Sequence, residues 1–205
     1  MFFNRPLARL LAGLTLLATS ATAGFADSPI TSTNFWRAYA DVPEVKMAND
    51  IERLNTKLGN YLSSDKVSID KKAAVINALS WNFHGKENAT LFMEILAQKY
   101  KTQDATLIDA KLSAEDRFCL GFLTAQDDYF HVGTALKQVK KAQKSLPNSF
   151  TVAVVTGLIE AQDNFKGQKL WPYVAPVLES KKLKDDMRPA ARKAIYDYMV
   201  LYKKK

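Results

Sequence analysis

Apolar residues recur at intervals of three and four positions over most of the chain, a spacing that predicts α-helices. The stretch 149–165 is apolar almost all round, so we expect it to be a buried helix that begins at Asn148 or Ser149. No segment alternates between apolar and polar residues as a half-buried strand does. The pattern therefore predicts an all-α fold of eight or nine helices.

Capping residues, glycines and prolines set the expected bounds of the other helices. A loose N-terminus is expected at 27–33, and the segment after Gly167 should form a kinked or late-starting helix because it contains Pro172 and Pro176. The helices 69–83 and 89–101 should pack as an antiparallel hairpin because about five residues join them. The last helix should begin after an Asp186 cap and bury Ala190, Ala194, Ile195, Tyr198 and Leu201. The remaining helices are predicted at 34–40, 44–62, 102–111, 114–130 and 134–146.

The first residues have the features of a secretory signal. Arg5 and Arg9 precede a short apolar run at 10–18, and small residues follow with A-x-A-like sites at 21–23 and 24–26. We expect cleavage after Ala26, which leaves 27–205 as a single mature domain in the periplasm or outside a bacterial cell. No cysteine lies near either site, so a lipid anchor is not expected.

The expected mature chain is basic, with 27 Lys and Arg against 21 Asp and Glu, a formal net charge of +6. Lys137, Lys140, Lys141 and Lys144 recur at helical spacing and would line one helix face. This lysine face is either a solvated outer surface or a patch for anionic lipid, glycan or an acidic protein. Nucleic acid is not an expected partner, because the patch lacks interleaved aromatic residues that would stack on bases.

Two helix ends share a short pattern of Ala-Gln-Asp, a phenylalanine, a basic residue and a glycine. The corresponding glycines are 34 residues apart, and a looser copy ends at Gly85. The repeat-defining residues are Ala125, Gln126, Asp127, Phe130 and Gly133 in one copy and Ala161, Gln162, Asp163, Phe165 and Gly167 in the other.

Together with Ala135, Ala142, Pro147 and Gly157, this spacing resembles tetratricopeptide helical hairpins over about 114–180. The resemblance implies hairpins stacked as a right-handed superhelix, with a groove that binds peptides or partner proteins and with no catalytic residues. A compact helical bundle stays open as the alternative.

Chemistry-bearing residues are few. His84 and His131 lie at equivalent helix connections and are expected to be turn residues, while Asp127, Asp128 and Asp163 are expected to be structural at helix ends. Cys119 is expected to be a buried small hydrophobe. No nucleophile elbow, zinc-protease, phosphate-loop or dinucleotide motif is present.

The sequence therefore predicts no catalytic residue, metal ligand or cofactor. It favours an exported, non-enzymatic helical-repeat protein that binds a protein or peptide in the cell envelope. Two alternatives remain open: a peripheral protein whose lysine face binds anionic lipid or glycan, and an enzyme with an unrecognised site.

Overall fold

The protein is described by a computed structural model that covers residues 28–167 and 169–204, so the predicted signal segment lies outside the described residues. These two ranges form ten α-helices and no β-strand, which confirms the all-α class. A short 3-10 helix at Phe35–Tyr39 precedes them. The helices are α1 Pro43–Ile51, α2 Thr56–Leu62, α3 Ile69–Ala78, α4 Asn88–Tyr100, α5 Ala105–Lys111, α6 Ala114–Asp127, α7 Gly133–Ser145, α8 Phe150–Asp163, α9 Trp171–Leu178 and α10 Pro189–Met199.

The helix count exceeds eight or nine because the single helix predicted at 44–62 is two helices. Glu52 ends α1 in the left-handed region at a φ of 48°. The side chain of Asn55 then caps α2 by accepting a hydrogen bond from the Leu58 N–H at 2.9 Å. The apolar spacing runs through this break without interruption, so the pattern of apolar positions did not reveal it.

The prediction that helices 69–83 and 89–101 pack against each other as an antiparallel hairpin is wrong. α3 already ends at Ala78, and Ser80 has a φ of 60°, which no continuing helix permits. α4 packs against α2, α5 and α6, whereas α3 packs against α1, α6 and α8. The longer connection 79–87 is therefore free to project side chains outward, and Phe83 is 66% exposed.

The most apolar helix is buried as predicted. Every residue of α8 from Phe150 to Ile159 is buried. Its N-cap is Ser149, whose hydroxyl accepts from the Val152 N–H at 3.1 Å. α6 packs against α7, α8, α3 and α4, and α8 packs against α7 and α9. These two helices are the centre of the molecule.

The C-terminal helix starts later than predicted, at Pro189, and it presents a different stripe to the core. Ile195 is buried as predicted, but its buried companions are Ala191 and Met199, whereas Ala190 and Leu201 are exposed. Asp186 does not cap this helix. Its Oδ1 instead accepts from the Thr151 N–H at 2.9 Å, in the first turn of α8.

The segment expected to be a loose N-terminus is packed where the structure describes it. Ser28, Ile30 and Thr33 are each 1% exposed. The Gln126 amide donates to the Ile30 carbonyl oxygen at 3.2 Å, and the Ser28 hydroxyl donates to the Gln162 side-chain oxygen. The two repeated glutamines thus hold the chain's own N-terminal segment against α6 and α8.

Candidate functional site

The four residues of the lysine face are all exposed on α7, as predicted, but two of them have acidic neighbours. Lys140 pairs with Glu160 at 2.6 Å, and the Lys141 ammonium lies 3.7 Å from an oxygen of Asp109. Both acids lie far from these lysines in sequence. Within the two described ranges, Lys137 and Lys144 have no carboxylate within 4.0 Å, so the free positive charge is about half of what the sequence indicated.

The two copies of the repeat are alike at their alanines and different at their ends. Ala125 and Ala161 are both fully buried. Asp127 is only 7% exposed, whereas its counterpart Asp163 is exposed. Gly133, which ends the first copy, is also exposed. Phe130 is 54% exposed, whereas its counterpart Phe165 is partly buried beside Gly167 in a short 3-10 turn.

The end of the first copy lies beside a surface pocket of about 560 Å³. The connection 79–87 forms one side of this pocket, and the end of α6 with the following turn forms the other. Both histidines and two of the three candidate aspartates are brought together here, although they lie far apart in sequence. The lining residues are Phe83, His84, Gly85, Lys86, Glu87, Asp127, Asp128 and His131. We call this the aromatic pocket.

The aromatic side chains at this pocket form a continuous cluster. The Phe83 and Phe130 rings meet edge to face, with centroids 5.7 Å apart and an interplanar angle of 87°. Phe130 also lies against Tyr129 at 4.2 Å, and Tyr129 contacts Trp81 at 5.0 Å. Because Tyr129 is almost completely buried, Phe130 rests on a fixed ring, and Phe83 packs in turn against Phe130.

The connection 79–87 is held by hydrogen bonds to backbone oxygens. The Lys86 ammonium donates to the carbonyls of Leu79 at 2.6 Å and Glu52 at 2.8 Å. The Lys86 N–H donates to the Asp127 carbonyl at 3.0 Å, next to Gly85, whose φ is 81°. A side chain at Gly85 would be strained at this φ, and its Cβ would lie 3.1 Å from the Asp127 carbonyl. Burial lowers the pKa of the Lys86 ammonium.

Asp127 joins α6 to the start of α4. Its Oδ2 accepts from the Ala89 N–H at 2.6 Å, which satisfies one of the free donors of the first turn of α4. Its Oδ1 is buried and has no hydrogen-bond partner among the residues that the structure describes. Burial raises the pKa of this carboxyl to about 6, although the Ala89 hydrogen bond acts in the opposite direction.

The pocket has one feature of a catalytic site. The His131 Nδ1 lies 2.9 Å from the Asp128 Oδ2, a pairing that orients imidazoles in many enzymes. However, no hydroxyl or thiol is found among the lining residues that would serve as a nucleophile. Cys119 is fully buried, as predicted, and burial raises the pKa of its thiol. Within 28–167 and 169–204, no three His, Cys, Asp or Glu side chains are grouped to hold a metal ion.

A second pocket, of about 340 Å³, lies at the start of α8 and contains Glu115, Ser149, Lys184 and Asp186. Its carboxylates already have partners within the fold. Glu115 accepts from the buried Lys72 ammonium at 2.5 Å, and Asp186 accepts from the Thr151 N–H. This pocket therefore offers fewer free groups than the aromatic pocket.

The apolar pattern of the sequence did not connect Phe83 with Phe130. The signal that marks both is the dipeptide Phe-His, which occurs at 83–84 and again at 130–131, each time after a helix end.

The Asp127→Asn variant is expected to gain stability relative to the wild type as pH rises. The carboxyl has a pKa of 3.8 when unfolded and about 6 when folded, so the native state binds more protons between these values. The contribution of the Asp127 carboxyl to the stability of the wild type is fully present below about pH 4 and is lost as pH rises through 6. Denaturant unfolding should show the variant gaining roughly 2 kcal/mol over the wild type between pH 4 and 7.

The matched control is Asp163→Asn, at the equivalent but exposed repeat position. Its difference from the wild type should change little over the same pH range. A flat difference for Asp127→Asn as well would contradict the account of its burial.

None of the described helices has the length and apolar character needed to cross a membrane. Comparison with protein-family models, with curated proteins and with solved structures gave no match.

Proposed function

We propose that this is an exported, non-enzymatic helical-repeat protein that binds a protein or peptide partner in the cell envelope. The observation that carries the proposal is the exposure of two adjacent phenylalanines, Phe83 at 66% and Phe130 at 54%. Large apolar side chains that adjoin one another on a surface are typical of binding sites. Export rests on the signal-like residues 1–26, and the repeat architecture rests on the tetratricopeptide-like spacing.

The partner is expected at the aromatic pocket rather than on the face formed by α6 and α8. The latter face is covered by the chain's own residues 28–33, which Gln126 and Gln162 hold in place. At the aromatic pocket, Tyr129 and the Lys86 hydrogen bonds fix the surrounding backbone and rings. A surface that is already ordered loses little conformational entropy on binding, so more of the contact energy is available as affinity.

Replacing Phe83 and Phe130 together with serine is expected to abolish capture of the partner. Two exposed aromatic anchors that become buried on binding contribute about 3 kcal/mol together, or roughly a hundredfold in affinity. The measurement is a pull-down from the cell's own envelope extract at high salt, with mass spectrometry of the retained proteins.

The matched control replaces Leu107 and Leu201, two exposed leucines away from the pocket, with serine. This variant should retain the partner. If both double variants retain the same proteins as the wild type, the aromatic pocket is not the binding surface. Circular dichroism of each variant distinguishes loss of a contact from loss of the fold.

A second candidate is a peripheral envelope protein that uses the lysine face. Lys137 and Lys144 favour it, because both are exposed and have no carboxylate partner among the described residues. Its signature in the same pull-down is retention of membrane or glycan material at low salt only, because salt screens exposed charges. Turnover of a substrate that is lost on changing one polar pocket residue would instead support the enzyme alternative.

A further inference from the structure

The aromatic pocket is acidic, although the chain as a whole carries a formal net charge of +8. Three carboxylates line it, those of Glu87, Asp127 and Asp128. The one lysine among the lining residues, Lys86, donates its ammonium hydrogens to the carbonyls of Leu79 and Glu52. Three carboxylates against one ammonium still leave the lining with a negative formal charge, opposite in sign to that of the chain, which indicates a ligand of positive charge.

We propose that the aromatic pocket binds an arginine or lysine side chain of the partner protein, with the cation against Phe83 and the carboxylates of Asp128 and Glu87. This inference rests on the proposed function and specifies the chemistry of the partner. It also explains why exposed aromatic rings and carboxylates occur together at one site.

Phe83 supplies the aromatic ring of the lining, and the neighbouring Phe130 ring packs against it. The two rings meet at 87°, so the edge of one ring contacts the face of the other, and both remain more than half exposed. A cation above an exposed ring face is attracted by the ring's negative quadrupole. A guanidinium group fits better than an ammonium, because it can stack on the ring while its N–H groups reach a carboxylate.

The carboxylates supply acceptors at different depths. Glu87 and Asp128 are exposed. The Asp128 Oδ1 accepts from the N–H groups of Phe130 and His131, whereas its Oδ2 has only the His131 Nδ1 beside it, at 2.9 Å. Asp127 also lines the pocket and is only 7% exposed, and its Oδ1 has no hydrogen-bond partner among the described residues. A buried carboxylate oxygen without a donor is costly, and a nearby cation would stabilise it.

The probe for this inference is N-acetyl-arginine amide, titrated into the full mature chain and followed by the NMR amide shifts of residues 82–89 and 127–131. A ligand of this size should bind with a Kd of about 1 mM if every heavy atom contributes the usual amount. N-acetyl-citrulline amide has nearly the same shape without the charge, and should bind at least fivefold more weakly. Equal binding of the two compounds would overturn the proposal.

Asp128→Asn combined with Glu87→Gln should weaken arginine binding at least fivefold. Asn keeps the side-chain oxygen that accepts from the Phe130 N–H, so the turn is preserved. The control combines Asp163→Asn with Glu94→Gln, two exposed acids outside the lining of the pocket, and should leave binding unchanged. Equal weakening by both pairs would show only a general charge effect and would contradict a local site.

Two other occupants are outcomes of the same titration. Stronger binding of N-acetyl-leucine amide would identify an apolar anchor, and a concentration-dependent increase in mass by light scattering would identify a second copy of this chain. Either result overturns the cationic ligand but leaves partner capture through Phe83 and Phe130 intact. If capture of the partner does not depend on Phe83 and Phe130, the proposed function itself is refuted.

Discussion

Replacing Glu115 with glutamine is expected to lower the free energy of unfolding by roughly 3 kcal/mol. Its partner Lys72 is the most deeply buried charge of the described chain, with a side chain that is 0% exposed. The Lys72 ammonium lies 2.5 Å from a Glu115 oxygen, and no other carboxylate lies within 4.0 Å of it in the part that the structure describes. Removal of the Glu115 charge would leave a buried cation unpaired, which is much more costly than losing a surface pair.

The reverse substitution should behave differently. In Lys72→Met the remaining charge is that of Glu115, whose side chain is 35% exposed and can still be hydrated. Methionine has about the same length as the lysine stem and is apolar, so the expected change is close to zero or slightly stabilising. The asymmetry between the two variants is the diagnostic result.

Urea unfolding of the two variants beside Glu94→Gln, an exposed acid on α4, measures this difference. The control should change stability by less than about 0.5 kcal/mol. If Lys72→Met loses several kcal/mol while Glu115→Gln loses none, then the ammonium has other partners and the account of this pair is wrong.

Short-range signals in the sequence predicted correctly those features that depend on residues close together in the chain. Ser113 and Ser149 each cap the helix that follows them, as the polar residue before an apolar run indicates. The all-apolar run of α8 is buried, because a helix without a polar face has no side to offer to water. These features depend on residues within one or two turns.

Long-range pairing decided the features that were missed. The burial of Lys72 depends on its ion pair with Glu115, which lies 43 positions away in the sequence. No residue close to Lys72 in the sequence indicates this pairing. The stripe of α10 was misplaced because the helix starts at Pro189 and its end tightens into a 3-10 turn, which buries Tyr202 and leaves Leu201 exposed. Small changes of helix pitch are not visible in apolar spacing.

At the candidate site too, short-range features could be predicted from the sequence and long-range contacts could not. The sequence indicated that His84 and His131 occupy equivalent connections, and both do lie after helix ends. That these connections meet in one pocket depends on the early end of α3 and on the bond from Lys86 to the Asp127 carbonyl. The acidic neighbours of the lysine face, Glu160 and Asp109, likewise come from other helices.

Replacing Gly157 with alanine is expected to destabilise the protein by about 2 kcal/mol, although alanine is the better helix former by about 1 kcal/mol. A Cβ at this position would lie 2.6 Å from the carbonyl oxygen of Tyr173 and 3.3 Å from a methyl carbon of Val174. The first of these neighbours is backbone, so α9 would have to move away from α8. α8 and α9 therefore approach each other closely at Gly157.

The control for this prediction is Gly133→Ala, at the first residue of α7. A Cβ there would meet nothing nearer than an Asp163 oxygen at 3.9 Å, so the better helix propensity should leave stability unchanged or raise it by up to about 1 kcal/mol. Thermal and urea unfolding of both variants measure the contrast. Equal stabilisation by both would contradict the close approach of α8 and α9 at Gly157.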